Sequence, residues 1–374
     1  MSYILKNGTV FTGDCVFEKL DIEYGEGVIS AVEPRIDSST AKVIDCSGCY
    51  VLPGLTDIHL HGCMGHDMCD GTADALDAIS AYQFSRGVTS FCPATMTLPE
   101  DRITAILRAA AEYNSSAQAQ ARAELLGINL EGPFISERKC GAQDPAYVQK
   151  PSAHKLRAWQ KAANGLIKLV TIAPEAEGAT ELIESLSAEF HFSLGHTESD
   201  YETAARAFRA GADHVTHLFN AMPPFHHRDT GVIGAAAESS CYAELICDGI
   251  HVSPSAVRAA FKLFGDHRLV LISDSTEAAG MPEGEYSLGG QRVFKRSSTV
   301  TLEDGTLAGS ASSLYDCLLK AVEIGVPLES AVRAATINPC RSIGADALYG
   351  SIEPGKRAHF LILNANDLSI RRVI

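Results

Sequence analysis

Two histidines stand at alternate positions in a short apolar run, directly after a Pro-Gly turn. His59 and His61 lie in the run Asp-Ile-His-Leu-His-Gly that begins at Asp57, and Pro53 and Gly54 precede it. In a β-strand, residues two apart point to the same face, with Cα atoms roughly 6.5–7 Å apart. The two imidazoles can therefore bind one metal ion or two neighbouring ions. The pair by itself also fits two hydrogen-bonded polar side chains, so partners elsewhere in the chain must decide.

Further residues of the kinds that bind metals stand at the ends of other short apolar runs. They are Glu131, His196, His217, His251 and Asp274. Taken singly, each has an ordinary explanation: the glutamate caps a loop, the histidines are hydrogen-bonded core residues and the aspartate caps a helix. Taken together, carboxylates and neutral imidazoles at several strand ends favour a catalytic zinc or iron site with an open position for water. This interpretation requires a fold that brings those strand ends together.

The alternation of short apolar runs and helical segments along the chain predicts such a fold. From Pro53 onwards, short apolar runs alternate with helical stretches of roughly 10–15 residues, which is typical of βαβ units and a parallel sheet. Eight such runs favour a closed (β/α)8 barrel over an open doubly wound sheet, and the carboxyl ends of barrel strands form the active-site mouth. The runs span residues 57–61, 88–92, 125–131, 169–172, 190–196, 213–217, 242–247 and 269–274.

The two ends of the chain differ in pattern from its middle. Residues 1–52 contain short β-type runs separated by Gly, Asp and Pro, and residues 360–363 return to β-type sequence after a Gly-rich excursion near 280–309 and further helices. We therefore predict an α/β fold with two domains. A TIM-like (β/α)8 barrel would span residues 53–344, and residues 1–52 with 345–374 would form a small β-sandwich domain.

The composition indicates where the protein works and what it binds. The 374 residues are 46% hydrophobic, enough to bury a large core, and carry a formal net charge of −15. This charge argues against nucleic acid or an anionic membrane as partner, and an anionic substrate would need a local basic cluster. No basic stretch followed by a long apolar run opens the sequence, and no segment approaches the roughly 20 apolar residues of a membrane span, so we expect a cytoplasmic protein. The eleven scattered cysteines fit reduced thiols, and the lone Cys46-x-x-Cys49 pair fits chance.

One local basic cluster is present in this acidic chain. His226, His227 and Arg228 are consecutive, and an arginine guanidinium matches the oxygens of a phosphate group. The same run also fits a solvated loop. A second basic segment, with Arg138 and Lys139, follows the Leu-Glu-Gly-Pro-Phe motif, and its loop could close over a substrate.

These motifs are similar to those of the N-acetylglucosamine-6-phosphate deacetylases of the amidohydrolase superfamily. The resemblance runs from about residue 50 to residue 360. One of its specific features is Glu131 in the Leu-Glu-Gly-Pro-Phe motif, which stands where related hydrolases often use a carboxylated lysine. The segments that carry the resemblance are 52–62, 130–134, 195–197, 217–222, 248–251, 273–274 and 305–310.

The resemblance implies a metal centre. Glu131, His196 and His217 would bind the main ion, a divalent metal that we expect to be zinc, with iron as the alternative. Some relatives replace one or both histidines of the alternating pair and use a single metal. Because this chain keeps His59 and His61, we expect a second, weaker ion there, with the glutamate as a bridging carboxylate. One or two ions per subunit are therefore expected.

The resemblance also implies catalytic and substrate-binding residues. Asp274 would be the catalytic acid and base, and His251 would meet the substrate near its acetamido carbonyl. The phosphate would be held by Asn220, the backbone at Ala221, and Arg228, the last reaching into the neighbouring subunit of a homodimer. Other substrate contacts are expected at Ala142, Gln143 and Leu307. Some relatives carry histidine at the position of this glutamine.

The expected reaction is metal-dependent deacetylation of N-acetyl-D-glucosamine 6-phosphate to D-glucosamine 6-phosphate and acetate, in amino-sugar catabolism. Two alternatives stay open: a related amidohydrolase that acts on a different N-acyl or cyclic amide, and a barrel without catalysis that serves as a binding or scaffold protein. The first is disfavoured because no lysine stands at the end of the fourth run, where Pro174 and Glu175 occur. The second is disfavoured because Asp274 and every expected metal ligand are present.

Overall fold

A computed structural model describes residues 1–116 and 119–374 of the chain. The strands, in chain order, are β1 (Ser2–Phe11), β2 (Phe17–Gly25), β3 (Val28–Glu33), β4 (Lys42–Asp45), β5 (Cys49–Pro53), β6 (Leu55–Leu60), β7 (Gly62–Cys63), β8 (His66–Asp67), β9 (Val88–Pro93), β10 (Glu124–Leu125), β11 (Ile128–Glu131), β12 (Ile167–Ile172), β13 (His191–Leu194), β14 (His214–Val215), β15 (Tyr242–Ile246), β16 (Leu269–Ile272), β17 (Gly284–Leu288), β18 (Gln291–Arg296), β19 (Thr299–Thr301), β20 (Leu307–Ser310), β21 (Phe360–Asn364) and β22 (Ile370–Val373). The α-helices are α1 (Ala73–Ser85), α2 (Glu100–Ser115), α3 (Ala153–Ala162), α4 (Ala179–Leu186), α5 (Tyr201–Ala210), α6 (Gly231–Glu238), α7 (Pro254–Phe264), α8 (Leu314–Glu323), α9 (Leu328–Ala335) and α10 (Ile337–Ser342).

Each of the eight predicted runs overlaps a parallel strand. Hydrogen bonds join β6 to β9 and β9 to β10, and they join β11 through β16 in chain order. The third run divides in two, because β10 pairs with β9 whereas β11 pairs with β12. A parallel bridge between Ala94 and Asn129 connects these two sets of strands. The sequence pattern therefore located the strands but not the break between β10 and β11.

Main-chain hydrogen bonds also connect the first and last of these parallel strands. The Asp274 nitrogen donates to the His59 oxygen over 2.9 Å, and the His61 nitrogen donates to the Ser275 oxygen over 2.7 Å. The parallel strands thus curl into a ring, which is consistent with the predicted (β/α)8 barrel. Their carboxyl ends share one rim of this ring.

The helices between the strands bury one apolar face, as α7 illustrates. The Ser253 side chain caps its amino end, and Pro254 takes the first helical position, where a missing N–H costs nothing. Buried Val257, Ala260 and Phe264 recur at helical spacing. Burial of the valine and the phenylalanine contributes about 1.5–3 kcal/mol each. Packing on the sheet, more than intrinsic propensity, therefore stabilises this short helix.

The two ends of the chain form a second, mixed sheet. Its strand order is β22-β21-β5-β1-β2-β3, with β4 paired to β1. As predicted, the tail rejoins the amino-terminal strands, since β21 runs antiparallel to β5 with Phe360 opposite Pro53. An apolar cluster beside this sheet includes Ile22, Val51 and Phe360. The division into two domains at residues 52 and 345, and the sandwich form of the smaller one, stay predictions.

A four-stranded antiparallel sheet, β17-β18-β19-β20, occupies the Gly-rich excursion after the last parallel strand. The sequence pattern indicated no sheet there. Its last strand returns to the ring because the Ser310 nitrogen donates to the Asp274 oxygen over 2.7 Å. The excursion thereby carries Leu307 and Gly309 to the rim that holds the candidate ligands.

The cysteines are all free thiols, as expected. Cys46 and Cys49 flank a turn in which the Cys49 nitrogen donates to the Cys46 oxygen over 3.0 Å. Within residues 1–116 and 119–374, no helix is both long enough and apolar enough to span a membrane.

Candidate metal centre

The candidate ligands at the strand ends converge on one buried site. They are His59 in β6, His61 directly after β6, Glu131 at the end of β11, His196 after β13, His217 after β14 and Asp274 after β16. These residues are between 0% and 8% exposed. Because parallel strands present their carboxyl ends to one rim of the ring, side chains that are far apart in sequence meet there.

Glu131, His196 and His217 form one triad of possible ligands. The Oε1 atom of Glu131 lies 3.1 Å from His196 Nε2 and 3.2 Å from His217 Nε2. The two Nε2 atoms are 3.0 Å apart. Two imidazole nitrogens and a carboxylate oxygen are a donor set that suits zinc or iron.

His59, His61 and Asp274 form a second triad. His61 Nε2 lies 3.3 Å from Asp274 Oδ1, and His59 Nε2 lies 3.7 Å from the same oxygen. Glu131 stands between the triads, because its Oε1 lies 3.4 Å from His59 Nε2 and its Oε2 lies 3.2 Å from His61 Nε2. The alternating histidines therefore share one face, and a carboxylate lies where a bridging ligand is needed.

Hydrogen bonds on the far side of the rings leave Nε2 atoms available to a cation. His196 Nδ1 lies 2.8 Å from the Lys139 carbonyl oxygen, which can only accept, so Nδ1 carries the hydrogen and Nε2 the lone pair of the neutral ring. His59 Nδ1 lies 2.8 Å from Glu244 Oε2 and is oriented in the same way. Among the described residues, His59 Nε2 has no hydrogen-bond partner although it is buried. Such a lone pair favours metal binding over a hydrogen-bonded core.

Burial and the neighbouring imidazoles shift the pKa values of the two carboxyl groups. Burial raises the pKa of Glu131, but a positive charge on His59 and hydrogen bonds from His196 and His217 hold that pKa well below its usual range. Burial also raises the pKa of Asp274, but the hydrogen bond from His61 and the nearby rings lower it overall. Both groups are therefore ionised near neutral pH, as metal ligands and proton acceptors must be.

Sequence reasoning missed Glu244, which contacts both triads. It is fully buried on β15. Its Oε2 atom accepts a hydrogen bond from His59 Nδ1 and another, over 3.2 Å, from the His217 main-chain nitrogen. The signal was present in the sequence, because a glutamate inside an apolar run at 242–247 is costly to bury without partners.

Three of the site residues adopt backbone conformations that are rare outside glycine. The φ angle is 47° at His196, 28° at His217 and 48° at Asp274, all in the left-handed region. Such conformations cost on the order of 1–3 kcal/mol each and persist where the surrounding structure holds them. All three follow the last residue of a parallel strand by two positions, so the strain accompanies the turn that places each side chain at the rim.

A cavity of about 380 Å³ adjoins the triads. Arg138 and Lys139 line it, which supplies local positive charge in an acidic protein. A cavity of this size, lined mainly by polar and charged side chains, suits a small polar molecule. The predicted substrate-binding residues that line it are His251, Asn220, Ala221, Ala142, Gln143 and Leu307.

A carboxylate fixes the orientation of His251. Its Nδ1 lies 2.7 Å from Asp248 Oδ2, and its main-chain nitrogen donates to Asp248 Oδ1 over 2.9 Å. Burial lowers the pKa of His251, but the Asp248 carboxylate more than offsets this effect and raises that pKa above its ordinary value. Because Nδ1 serves Asp248, Nε2 is the ring atom left for a molecule in the cavity.

Two predicted substrate-binding residues have surroundings that the sequence did not indicate. Arg228 lies on an exposed loop, with Nη1 2.8 Å from His227 Nε2, and among the described residues it is not one that lines the cavity. Gln143 lines the cavity, but its amide is already engaged. Its Nε2 donates to Glu131 Oε2 over 2.7 Å, and its Oε1 accepts from the Thr97 nitrogen over 2.5 Å.

The sequence and the fold are similar to those of known amidohydrolases. The amidohydrolase family model matches residues 50–374. The N-acetylglucosamine-6-phosphate deacetylase of Bacillus subtilis (strain 168) is 37% identical over 98% of this chain and 94% of its own length. The N-acetylgalactosamine-6-phosphate deacetylase of Escherichia coli O157:H7 is 33% identical over 98% and 96%, respectively. A solved mutant of the Mycobacterium smegmatis N-acetyl-D-glucosamine-6-phosphate deacetylase, in complex with N-acetyl-D-glucosamine 6-phosphate, matches with a TM-score of 0.92 at 30% identity, covering 100% of this chain and 97% of that one.

Proposed function

This chain belongs to the amidohydrolase family, and from that premise we propose that it is a hydrolase of a linear amide. The proposed reaction removes the acetyl group of N-acetyl-D-glucosamine 6-phosphate and yields D-glucosamine 6-phosphate and acetate. The observation that carries this proposal is the buried Glu131 between two triads of ligand-type side chains, beside a cavity of small-molecule size. Similarity to deacetylases of amino-sugar phosphates supports the choice of substrate.

The proposed cofactor is a divalent metal ion, zinc in the first place and iron as the alternative. Glu131, His196 and His217 would hold the tighter ion, and His59 with His61 would hold a weaker second ion. Three imidazole nitrogens that face one carboxylate oxygen support this donor set, as does the buried His59 Nε2 that lacks a partner among the described residues. Such an ion, when bound, lowers the pKa of water and polarises a carbonyl group.

Asp274 is the proposed acid and base. Its buried, ionised carboxylate accepts a proton from the attacking water while the water oxygen bonds to the acetamido carbon. The protonated carboxyl then donates to the sugar nitrogen as the C–N bond breaks, so the amine leaves neutral and the carboxylate is restored. The acetic acid product loses its own proton to solvent. When His251 is protonated, its Nε2–H stabilises the carbonyl oxygen as it gains negative charge. Asp248 accepts the hydrogen bond from Nδ1 and holds the ring in place for this role.

The proposed phosphate site involves two subunits of a homodimer. Asn220 and the backbone of Ala221 line the cavity, and they would contact the phosphate from within the same chain. Arg228 would complete the site of a neighbouring copy. Its exposure outside the cavity of its own chain supports a role between subunits.

Arg228→Ala tests this assignment. The variant should raise KM for the phosphorylated sugar by roughly 10–150-fold with little change in kcat, because a phosphate contact of about 1.5–3 kcal/mol is lost while the reacting groups stay in place. Steady-state kinetics with phosphorylated and unphosphorylated sugar provide the measurement. An equal rise in KM with both sugars would make Arg228 a structural residue. Analytical ultracentrifugation that finds the wild type to be a monomer at assay concentration would contradict the proposed homodimer.

We place the chemistry in residues 53–344 and propose that residues 1–52 and 345–374 form a small β-sandwich domain. The separate apolar cluster of the mixed sheet supports this division. The proposed location is the cytoplasm, and the proposed role is amino-sugar catabolism. The net charge of −15 supports a small-molecule substrate rather than a nucleic-acid or membrane partner.

The deciding experiment measures acetate release by the purified protein. The assay compares three sugars, each with and without a chelator. They are N-acetyl-D-glucosamine 6-phosphate, its epimer N-acetyl-D-galactosamine 6-phosphate, and unphosphorylated N-acetyl-D-glucosamine. Release should be fastest from the first substrate, should fall to background with chelator and should return with added Zn²⁺. Faster release from the epimer would reassign the substrate. Activity only on another N-acyl or cyclic amide would indicate a different amidohydrolase, and no activity on any amide would favour a scaffold.

A further inference from the structure

The two oxygens of Glu131 have different surroundings. Oε1 lies 3.1 Å from His196 Nε2 and 3.2 Å from His217 Nε2. Oε2 lies 3.2 Å from His61 Nε2 and accepts a hydrogen bond from Gln143 Nε2 over 2.7 Å. Oε1 therefore faces the first triad and also lies 3.4 Å from His59 Nε2, whereas Oε2 faces only the second triad, through His61. The Gln143 amide acts on Oε2 alone.

The main chain at Thr97 fixes which end of the Gln143 amide points at Glu131. The Thr97 nitrogen lies 2.5 Å from Gln143 Oε1. A main-chain N–H can only donate, so the atom it meets must be the amide oxygen, and the NH2 group must point to the carboxylate. Gln143 is 3% exposed and Thr97 is 1% exposed, so both hydrogen bonds are shielded from bulk solvent.

We propose that Gln143 is a positioning residue that holds Glu131 across the two triads and thereby allows two metal ions to bind. This inference rests on the proposed metal centre and specifies how its stoichiometry is set. The last torsion of a glutamate is loosely restrained, so an unsupported carboxylate can turn and chelate one ion with both oxygens. The amide occupies one lone pair of Oε2 and leaves the other for an ion at His59 and His61. Hydrogen bonds of this kind orient ligating carboxylates and tune metal affinity.

A second glutamine contacts the same loop and provides a matched control. Gln291 Nε2 donates to the Ala142 carbonyl oxygen over 2.6 Å, one residue before Gln143 in the chain. Among the described residues, no hydrogen bond joins Gln291 to Glu131. Loss of the Gln291 amide therefore loosens the loop, whereas loss of the Gln143 amide also frees the carboxylate.

The test counts the ions that metal-free protein takes up from Zn²⁺ and measures the Kd of each. Gln143→Met removes the amide at nearly constant length. Gln143→His keeps the same order of hydrogen-bond acceptor and donor, because a neutral imidazole offers Thr97 an acceptor nitrogen and Glu131 an N–H donor. Wild type, Gln143→His and Gln291→Met should hold close to two ions. Gln143→Met should bind the second ion roughly 10–100-fold more weakly while the Kd of the first stays within about threefold.

Reloading with Mn²⁺ supplies a readout that depends on two ions being bound next to each other. Two Mn²⁺ ions bridged by a carboxylate give the electron paramagnetic resonance spectrum of an exchange-coupled pair. That spectrum should appear in wild type and Gln143→His and should be absent from Gln143→Met at the same loading.

Several results would overturn the inference. They are a wild type that never binds a second ion, a Gln143→Met variant with wild-type affinities, a Gln143→His variant that loses the second ion, and a Gln291→Met variant that loses it equally. All of these measurements are made without substrate. A failure of the proposed deacetylation, seen only in acetate release, is therefore distinguishable from a failure of this inference.

Discussion

The two ends of the strand ring hold the same kinds of side chains in different arrangements. At the carboxyl ends, Oε1 of Glu131 faces three imidazole nitrogens in a buried site. At the amino ends, Asp213 lies between two histidines: its Oδ2 is 2.5 Å from His191 Nδ1 and its Oδ1 is 2.7 Å from His214 Nδ1. The side chains of Asp213 and His191 are 42% and 34% exposed.

The difference shows that ligand types alone do not make a metal site. At the amino ends, each carboxylate oxygen has one imidazole N–H, and solvent reaches the group, so hydrogen bonds satisfy it. At the carboxyl ends, one oxygen faces three ring nitrogens in a buried site. Neutral rings whose Nε2 atoms carry lone pairs cannot satisfy that oxygen by hydrogen bonding. A cation satisfies it. We therefore expect the metal at the carboxyl ends alone.

The largest effect should come from His196→Gln. This variant should abolish tight metal binding and turnover, because it removes one of the two nitrogens that face Glu131 Oε1 together in the tighter triad. Elemental analysis and acetate release provide the measurements. The matched control is His214→Gln, which changes a histidine at the amino ends of the same ring of strands. This variant should keep its metal. Equal loss of metal from both variants would refute the comparison.

Asp274→Asn should come next. It should leave the tight ion in place and lower kcat by roughly 10²-fold or more, since the amide cannot accept the proton of the attacking water. Single-turnover rates on protein of known metal content give the clearest measurement. Near-normal turnover would rule out Asp274 as the acid and base.

The double variant His59→Gln and His61→Asn should have a smaller effect on activity. It should lower the metal content from near two ions per chain to near one and retain much of the turnover, because the tighter triad is untouched. Elemental analysis after removal of loosely bound ions is the check. One ion in wild type and variant alike would mean that these two histidines only line the site.

The smallest effect should come from Asp213→Asn, which should leave metal content and kcat unchanged. Burial raises the pKa of Asp213, but the imidazoles of His214 and His191 outweigh it and hold that pKa below its ordinary value. A carboxyl group whose pKa is lower in the folded state stabilises the fold in full above its unfolded pKa of about 3.9, and this contribution is lost as pH falls through the folded pKa.

The stability difference between wild type and Asp213→Asn should therefore shrink as pH falls below about 4. Urea unfolding at a series of pH values measures it. A difference that does not change with pH would show that the Asp213 contacts act by packing rather than by charge.

The strands and the ligand types were predictable from the sequence because both follow from local patterns. Glu131 and His196 each end an apolar run, and the runs alternate with helical stretches, so a parallel sheet with these residues at one rim follows from periodicity. The break between β10 and β11 and the sheet in the Gly-rich excursion were not predictable, since both depend on pairing with distant strands.

The sequence by itself determined which side chains could bind metal and that they would share one rim, because the alternation of a strand and the order of strands are set by neighbours in the chain. Only the tertiary structure decided how those side chains face each other. Glu131 and His217 are 86 residues apart in sequence yet 3.2 Å apart at their ligand atoms. The hydrogen bonds that buried Glu244 and Gln143 make to the candidate ligands likewise depend on the tertiary structure. Distances of that kind depend on closure of the ring and on close packing of its interior, which no local pattern encodes.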